Sequence, residues 1–255
     1  MNNRLSWGHE SLALEFQWSP EHTPWLSRVS GIDGAGVALG EGLPLVDILT
    51  VDDGHEPASD RLVHTGIGRS LRYASHHDWN AGGVHYLELE LLDAEHGVSA
   101  VLSLSSPAGC SAFRSRVVVT NVSAVHTVVA RSVTTWSTYL GGSSESIADW
   151  DLVRGKSDWL AEGRWSTEPV ASLLPELGAE LTGHNPRGSY SVISQGAWST
   201  GKNLPVASLV SRSRKFAWAW EIEHNGAWRW EVGSDNSDAF FALSGPTDTD
   251  RKSVV

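Results

Sequence analysis

The chain has 255 residues, 40% of them hydrophobic and 19% charged, which is the balance of a globular protein with a substantial core and excludes a disordered chain, a collagen-like repeat or a membrane-spanning helix. Nineteen Lys and Arg against thirty Asp and Glu leave a formal charge of −11, and with no basic run there is no electrostatic footprint for nucleic acid or an anionic membrane. The single cysteine, Cys110, excludes an internal disulfide framework and a multi-cysteine metal site.

The first ten residues are polar and lack the apolar centre of a secretory signal, so an intracellular, cytoplasmic chain is expected. Leu12, Leu14, Phe16 and Trp18 then alternate with Ala13, Glu15 and Gln17 until Ser19-Pro20 ends the run. Leu87, Leu89 and Leu91 alternate with Tyr86, Glu88 and Glu90. After the turn Asp93–Gly97 the pattern resumes at Val98, Ala100, Leu102 and Leu104, which reads as a hairpin. Two longer β-branched strands are predicted over Phe113–Val122 and Val125–Tyr139. Helical periodicity is scarce, with short helices predicted near Ala148–Val153 and Val170–Leu177. No repeat or interdomain linker interrupts the pattern, so residues 1–255 read as one large antiparallel β-sandwich domain.

The segment Phe216–Val232 carries the strongest local signal, an Asn225-Gly226 step between alternating runs. A three-residue loop, His224–Gly226, pairs Ile222 with Trp228 and Trp220 with Trp230 and sets Glu221 opposite Arg229. A two-residue loop would mix apolar and charged residues on one face. The predicted register is therefore the three-residue one, with Gly226 left-handed in a bulge.

Motifs of chemistry are sparse. Gly34–Gly40 has one residue too many for a dinucleotide fingerprint, and phosphate-loop, serine-elbow and His-Glu-x-x-His patterns are missing. The densest histidine group (His64, His76, His77, His85) has no ligand spacing on one element, so neither a metal nor another cofactor is expected. Asp52-Asp53 and Asp149/Asp151 read as solvated turn carboxylates rather than a glycosidase pair. Thirteen tryptophans against five Phe and four Tyr point to a β core or to sugar stacking before nucleic acid. Trp159, Trp165, Trp198, Trp218, Trp220, Trp228 and Trp230 crowd the last part of the chain, and an outer tryptophan-rich face that something normally covers is expected there.

Four strings occur in order: Glu162-Gly-Arg-Trp-Ser-Thr-Glu168, Ser194-Gln-Gly-Ala-Trp-Ser-Thr-Gly-Lys-Asn-Leu-Pro205, Trp220–Glu231 and Leu243-Ser-Gly-Pro-Thr-Asp248. With Arg69–Tyr73 and Phe113–Asn121 upstream, they resemble the amino-terminal domain of glycoside hydrolase family 36 α-galactosidases, from about Leu12 to Asp250. The resemblance implies an all-β, galactose-mutarotase-like β-supersandwich with few short helices. In that family this domain precedes a (β/α)₈ barrel holding both catalytic aspartates. Here the chain reads Thr-Asp-Arg-Lys-Ser-Val-Val after Asp248, so the expectation is a non-catalytic domain with no catalytic residue of its own. Its expected roles are to support the barrel, to share in homo-oligomer contacts and to lend an edge to the α-galactoside site. Trp198 is the tryptophan that the resemblance places near the sugar. Asp53 and Arg72 lie on segments that in the family reach toward a neighbouring subunit's site. A stand-alone carbohydrate-binding module and a mutarotase-like enzyme are the alternatives.

Overall fold

The computed structural model describes residues 2–245 apart from 33, 35, 56–57, 126, 142–143, 175–187, 195–197 and 236–237, and apart from the side chains of 144–146. Seventeen strands follow one another: β1 (Asn3–His9), β2 (Leu12–Trp18), β3 (Trp25–Gly31), β4 (Gly36–Ala38), β5 (Ile48–Thr50), β6 (Arg72–Ala81), β7 (Val84–Asp93), β8 (Val98–Pro107), β9 (Arg114–Asn121), β10 (Ala130–Tyr139), β11 (Trp150–Ser157), β12 (Arg164–Pro169), β13 (Ser189–Ser194), β14 (Lys202–Ser211), β15 (Ala217–Glu221), β16 (Trp228–Ser234) and β17 (Ala239–Ser244). The one described α-helix is α1 (Gly66–Ser70), joined by two short 3₁₀ turns. The all-β reading with few short helices holds. Every strand pairing is antiparallel, and the strands form four sheets in the orders β1-β2-β3-β4, β13-β16-β17-β10-β5, β12-β11-β14-β15 and β6-β7-β8-β9.

Where one face of a sheet meets solvent, period-2 alternation translates directly into burial. In β2, Leu12, Leu14, Phe16 and Trp18 are buried and the residues between them are not. The β7–β8 hairpin sets Leu91 opposite Ala100, Leu89 opposite Leu102 and Leu87 opposite Leu104, all buried. The β6–β7 hairpin turns on Gly82-Gly83, both at positive φ, between the paired Ala81 and Val84. A two-residue turn of that hand needs both central residues left-handed, and glycine adopts that conformation without steric cost.

The five-stranded sheet differs because it is covered on both faces. All six residues of β17 and six of the seven in β16 are buried. Trp218 and Trp220 of β15 lie on Phe241 of β17, the second pair stacked at 4.9 Å. On the opposite face the 58–62 segment crosses the sheet, with the Arg61 guanidinium 5.0 Å from the Phe240 ring centre.

This layering corrects the predicted hairpin. The strands on either side of Asn225-Gly226 belong to different sheets: β15 pairs with β14, and β16 pairs with β13 and β17. Trp220 and Trp230 do meet, but as an edge-to-face contact at 5.5 Å between two sheets. Gly226 does not adopt a left-handed backbone. Apolar alternation is satisfied equally by pairing in one sheet or by packing between two, and local pattern cannot separate them. For the same reason the strands predicted over Phe113–Val122 and Val125–Tyr139 do not pair: β9 adds to β8, whereas β10 runs between β17 and β5. The helix predicted near Ala148–Val153 is a 3₁₀ turn at Ser144–Asp149 followed by a strand, because Trp150 and Leu152 enter the core on alternate positions. The second keeps only a turn at Val170–Ser172, and 175–177 lie outside the described residues.

Candidate functional site

Trp198 sits in the connection from β13 to β14 and is 54% exposed. Its backbone is pinned: the carbonyl accepts from Ser194 Oγ at 3.0 Å and from the Gly201 N–H at 3.1 Å. The ring lies against Gly201, where an added Cβ would approach within 3.3 Å. The adjoining Ser199 carbonyl accepts from the buried Trp228 indole N–H at 2.8 Å, tying the loop to the central sheet. Beside it Ser199 and Thr200 form one wall of an open cleft of about 440 Å³ that Glu221, Glu223, His224 and Asn225 complete. A held, solvent-facing indole next to hydroxyl, carboxylate and amide groups is a surface on which a sugar ring can stack and hydrogen-bond.

The other two predicted positions lie at the two ends of α1. The Asp53 carboxylate faces Gly66, at which a Cβ would come within 2.5 Å of Oδ2, and that oxygen is buried without a hydrogen-bond partner. The Asp53 N–H donates to Thr50 Oγ1 at 2.9 Å. Arg72 gives its guanidinium to three main-chain carbonyls, those of Pro20, Arg69 and Leu71 at 3.0, 2.6 and 3.1 Å. It fastens the end of α1 to the β2–β3 turn. Neither of the two described cavities is lined by Trp198, Asp53 or Arg72, so the three positions do not converge on one cavity.

The tryptophan face expected from the sequence divides. Trp218, Trp220, Trp228 and Trp230 are core residues, whereas Trp159, Trp165 and Trp198 are 75%, 54% and 54% exposed. The correction has the same origin as the hairpin: the inner indoles are covered by a second sheet of the same chain. The four histidines also separate. His64 Nε2 lies 3.2 Å from Asp235, His76 Nδ1 lies 2.8 Å from the Tyr73 hydroxyl, His77 stacks on Trp79, and His85 adjoins His9. Among the described residues no three His, Cys, Asp or Glu side chains converge as a metal site.

Carboxylates with shifted titration are enclosed or committed. Asp149 is held below its ordinary value: burial opposes this, and bonds from Ser211 Oγ and the Ser213 N–H outweigh it. Asp151 is likewise lowered by a two-pronged bond from Arg212. Both stay ionised and cannot serve as a general acid. Burial pushes Asp47 up to about 6 and Asp238 up to about 7, and raises Glu231. These three are at most 1% exposed, and none lines a described cavity. They are structural: Asp47 Oδ1 accepts from both the N–H and Oγ1 of Thr65, the residue that caps α1, and Asp238 receives the Gly141 and Ala239 N–H groups. Sequence reading missed all three, because nothing in the local pattern marks an acid for burial.

Asp47 makes stability depend on pH. Its folded value of about 6 exceeds the ordinary 3.8, so the folded chain holds this proton more tightly than the unfolded one. The contribution is complete below about pH 4 and is lost as pH rises through 6; the ionised group then weighs against folding by up to ~3 kcal/mol. Asp238 acts in the same direction, and His55, whose value burial lowers, acts against it. Urea unfolding of Asp47→Asn at pH 5 and pH 8 isolates the Asp47 part: the variant is expected to lose clearly less stability across that interval than the parent. Equal losses would refute the assignment.

A second cavity of about 400 Å³ lies over the outer face of the central sheet, lined by Arg61, Arg131, Arg229, His55, Asp60 and Ser132 among others. Two of its arginines hold the fold together: Arg61 donates to the carbonyls of Gly188 and Ser234, and Arg229 to the Asp60 carbonyl, Ser191 and Glu231.

No protein-family model matches the sequence, and no characterised protein matches it by sequence comparison. Solved structures do match in fold. The GH36 α-galactosidase AgaB from Geobacillus stearothermophilus superimposes with a TM-score of 0.63 at 12% identity, over 96% of this chain and 36% of its own. AgaA A355E from the same organism, in complex with 1-deoxygalactonojirimycin, gives 0.64 at 10% identity over 96% and 37%. The galactosidase domain of the α-galactosidase–sucrose kinase AgaSK gives 0.62 at 12% identity over 95% and 37%. The chain therefore spans little more than a third of these enzymes, and at such identities the likeness is one of fold. The part matched is their amino-terminal domain region, which is the resemblance carried by the sequence strings.

Proposed function

We propose that this chain works as the non-catalytic β-supersandwich of an α-galactosidase, a domain that supports a catalytic barrel and presents Trp198 at the edge of an α-galactoside site. The observation that carries the reading is an uncovered sheet face of mixed apolar and polar character beside the Trp198 loop. On the solvent side of β12-β11-β14-β15 the register sets Trp165, Val153, Val206, Val210, Ala217 and Ala219 among Asp151, Thr167, Ser208 and Glu221, while Trp218 and Trp220 take the inner side. Trp165 and Val210 are 54% and 39% exposed. Apolar side chains set among polar ones in this way are the character of an interface between domains of one chain, which is more polar than an obligate subunit interface. Retaining glycosidases need two carboxyls about 5–5.5 Å apart, one of them protonated at working pH. The half-buried acids Asp149 and Asp151 are held in ionised form by their hydrogen bonds, which supports assigning the chemistry to the barrel.

The purified 255-residue chain is expected to leave an aryl α-galactoside uncleaved beyond the uncatalysed rate, and to bind free galactose too weakly to change its tryptophan fluorescence. Turnover that survives repeated purification would overturn the proposal. A fluorescence change that titrates with galactose and vanishes in Trp198→Ala would favour a stand-alone carbohydrate-binding module instead.

A further inference from the structure

Independently of any role beside a barrel, one long sheet edge, that of β6, is open among the described residues. Most edge strands are short or blunted: β4 and β5 have three residues each, β15 has five, β12 ends at Pro169, β1 carries Arg4 and a left-handed Gly8, and β9 carries Arg114 and Arg116. Such features are how proteins keep sheet edges from pairing with other chains. β6 lacks them. It runs ten residues, and from Ala74 to Ala81 it has no Pro, Gly, Lys or Arg. Among the described residues its main chain over 74–81 is paired with β7 alone. It also overhangs the core: His76 and Asp78 are exposed although Leu89 and Leu87, directly opposite them on β7, are fully buried.

We infer that β6 is a self-association edge that accepts β6 of a second copy of this chain, antiparallel and centred on His77. A two-fold axis normal to the sheet keeps both outer faces on one side, so residues opposite each other must share a face. Centring on His77 sets Asp78 opposite the partner's His76, and His76 opposite the partner's Asp78. Centring on His76 would set Asp78 against alanine, and centring on Asp78 would bring two carboxylates together. The side chains are ready for the first arrangement. The Tyr73 hydroxyl lies 2.8 Å from His76 Nδ1; donating there, it leaves Nε2–H free to reach a carboxylate. Asp78 is exposed and has no hydrogen-bond partner among the described residues. On the outer face His77, Trp79 and Tyr86 already form a stack with centroid spacings of 5.1 and 5.0 Å. Two His77 rings meeting at the axis would join the stacks of both copies into one row. For chains of charge −11, local attraction of this kind has to offset mutual repulsion.

Sedimentation velocity of the full chain over a concentration series tests the inference. The parent is expected to show a concentration-dependent monomer–dimer equilibrium, and Asp78→Lys, which sets lysine against histidine twice, to raise the dimer dissociation constant at least tenfold. The double variant His76→Asp/Asp78→Lys reverses both signs and is expected to recover dimer formation. Both positions are on the surface, and far-UV circular dichroism verifies that each variant is folded. A parent that stays monomeric at its highest soluble concentration overturns the inference, as does a folded Asp78→Lys that dimerises like the parent. So does a folded double variant that fails to recover, or a dimer that dissociates on Trp198→Ser and not on Asp78→Lys.

Discussion

Trp230→Ala is expected to destabilise the protein by ~3–5 kcal/mol, the range for removing a large aromatic from a packed interior. Trp230 is 1% exposed and lies where two sheets meet, edge-on to Trp220 at 5.5 Å and 6.2 Å from the Tyr190 ring. Its neighbours stand on strands of different sheets, so the cavity cannot close by moving a single side chain. Domains of this kind hold only 5–15 kcal/mol in total, and the variant should unfold at markedly lower urea. Trp230→Phe discriminates between packing and polar contributions. The indole Nε1 is buried without a hydrogen-bond partner in the protein, so phenylalanine removes volume but no hydrogen bond. It should cost clearly less than alanine. A phenylalanine variant as unstable as the alanine one would show that Nε1 matters through a contact other than packing.

Glu231→Ala is expected to cost a similar ~3–5 kcal/mol by a different mechanism, the stranding of a buried charge and its donors. The carboxylate is fully buried and accepts from the Leu62 N–H at 2.7 Å, Ser189 Oγ at 3.0 Å and Arg229 Nη2 at 2.7 Å. It links the 58–62 segment to the central sheet. Truncation orphans the Leu62 N–H and takes the carboxylate away from Arg229, 19% exposed, whose remaining bonds are to the neutral Asp60 carbonyl and Ser191 Oγ. Glu231→Gln keeps one acceptor oxygen and should fall between the parent and alanine. If alanine and glutamine are equally mild in urea unfolding, the segment is held by the Arg61 bonds to Gly188 and Ser234 instead. That pattern would move the weight of the junction from Glu231 to Arg61.

Much of this protein was legible in its sequence. Strands covered on one side write their burial into period-2 alternation, so β2, β7 and β8 and the hairpin between the last two follow from the order of residues alone. The paucity of helix follows in the same way, and so does the family of folds, since strings such as Ser194–Pro205 are long enough to be specific. Trp198 was singled out by its string, and the structure places it half-exposed on a braced loop. Arg72 was singled out too, and the structure commits its guanidinium to main-chain carbonyls, which a string of residues cannot show.

What the sequence determined by itself is therefore local: which segments extend, which turns close a hairpin when the strands are adjacent, and that the chain is acidic, all-β and tryptophan-rich. Only the tertiary structure decided which sheet each strand joins, and with it the fate of Trp220, Trp230, Arg229 and Glu231. A strand covered on both faces, such as β16, needs no alternation, and an acid can take an inward position when distant donors supply its hydrogen bonds. Those donors, Leu62 and Ser189, are 169 and 42 residues away along the chain, and no periodicity within a strand reports on them.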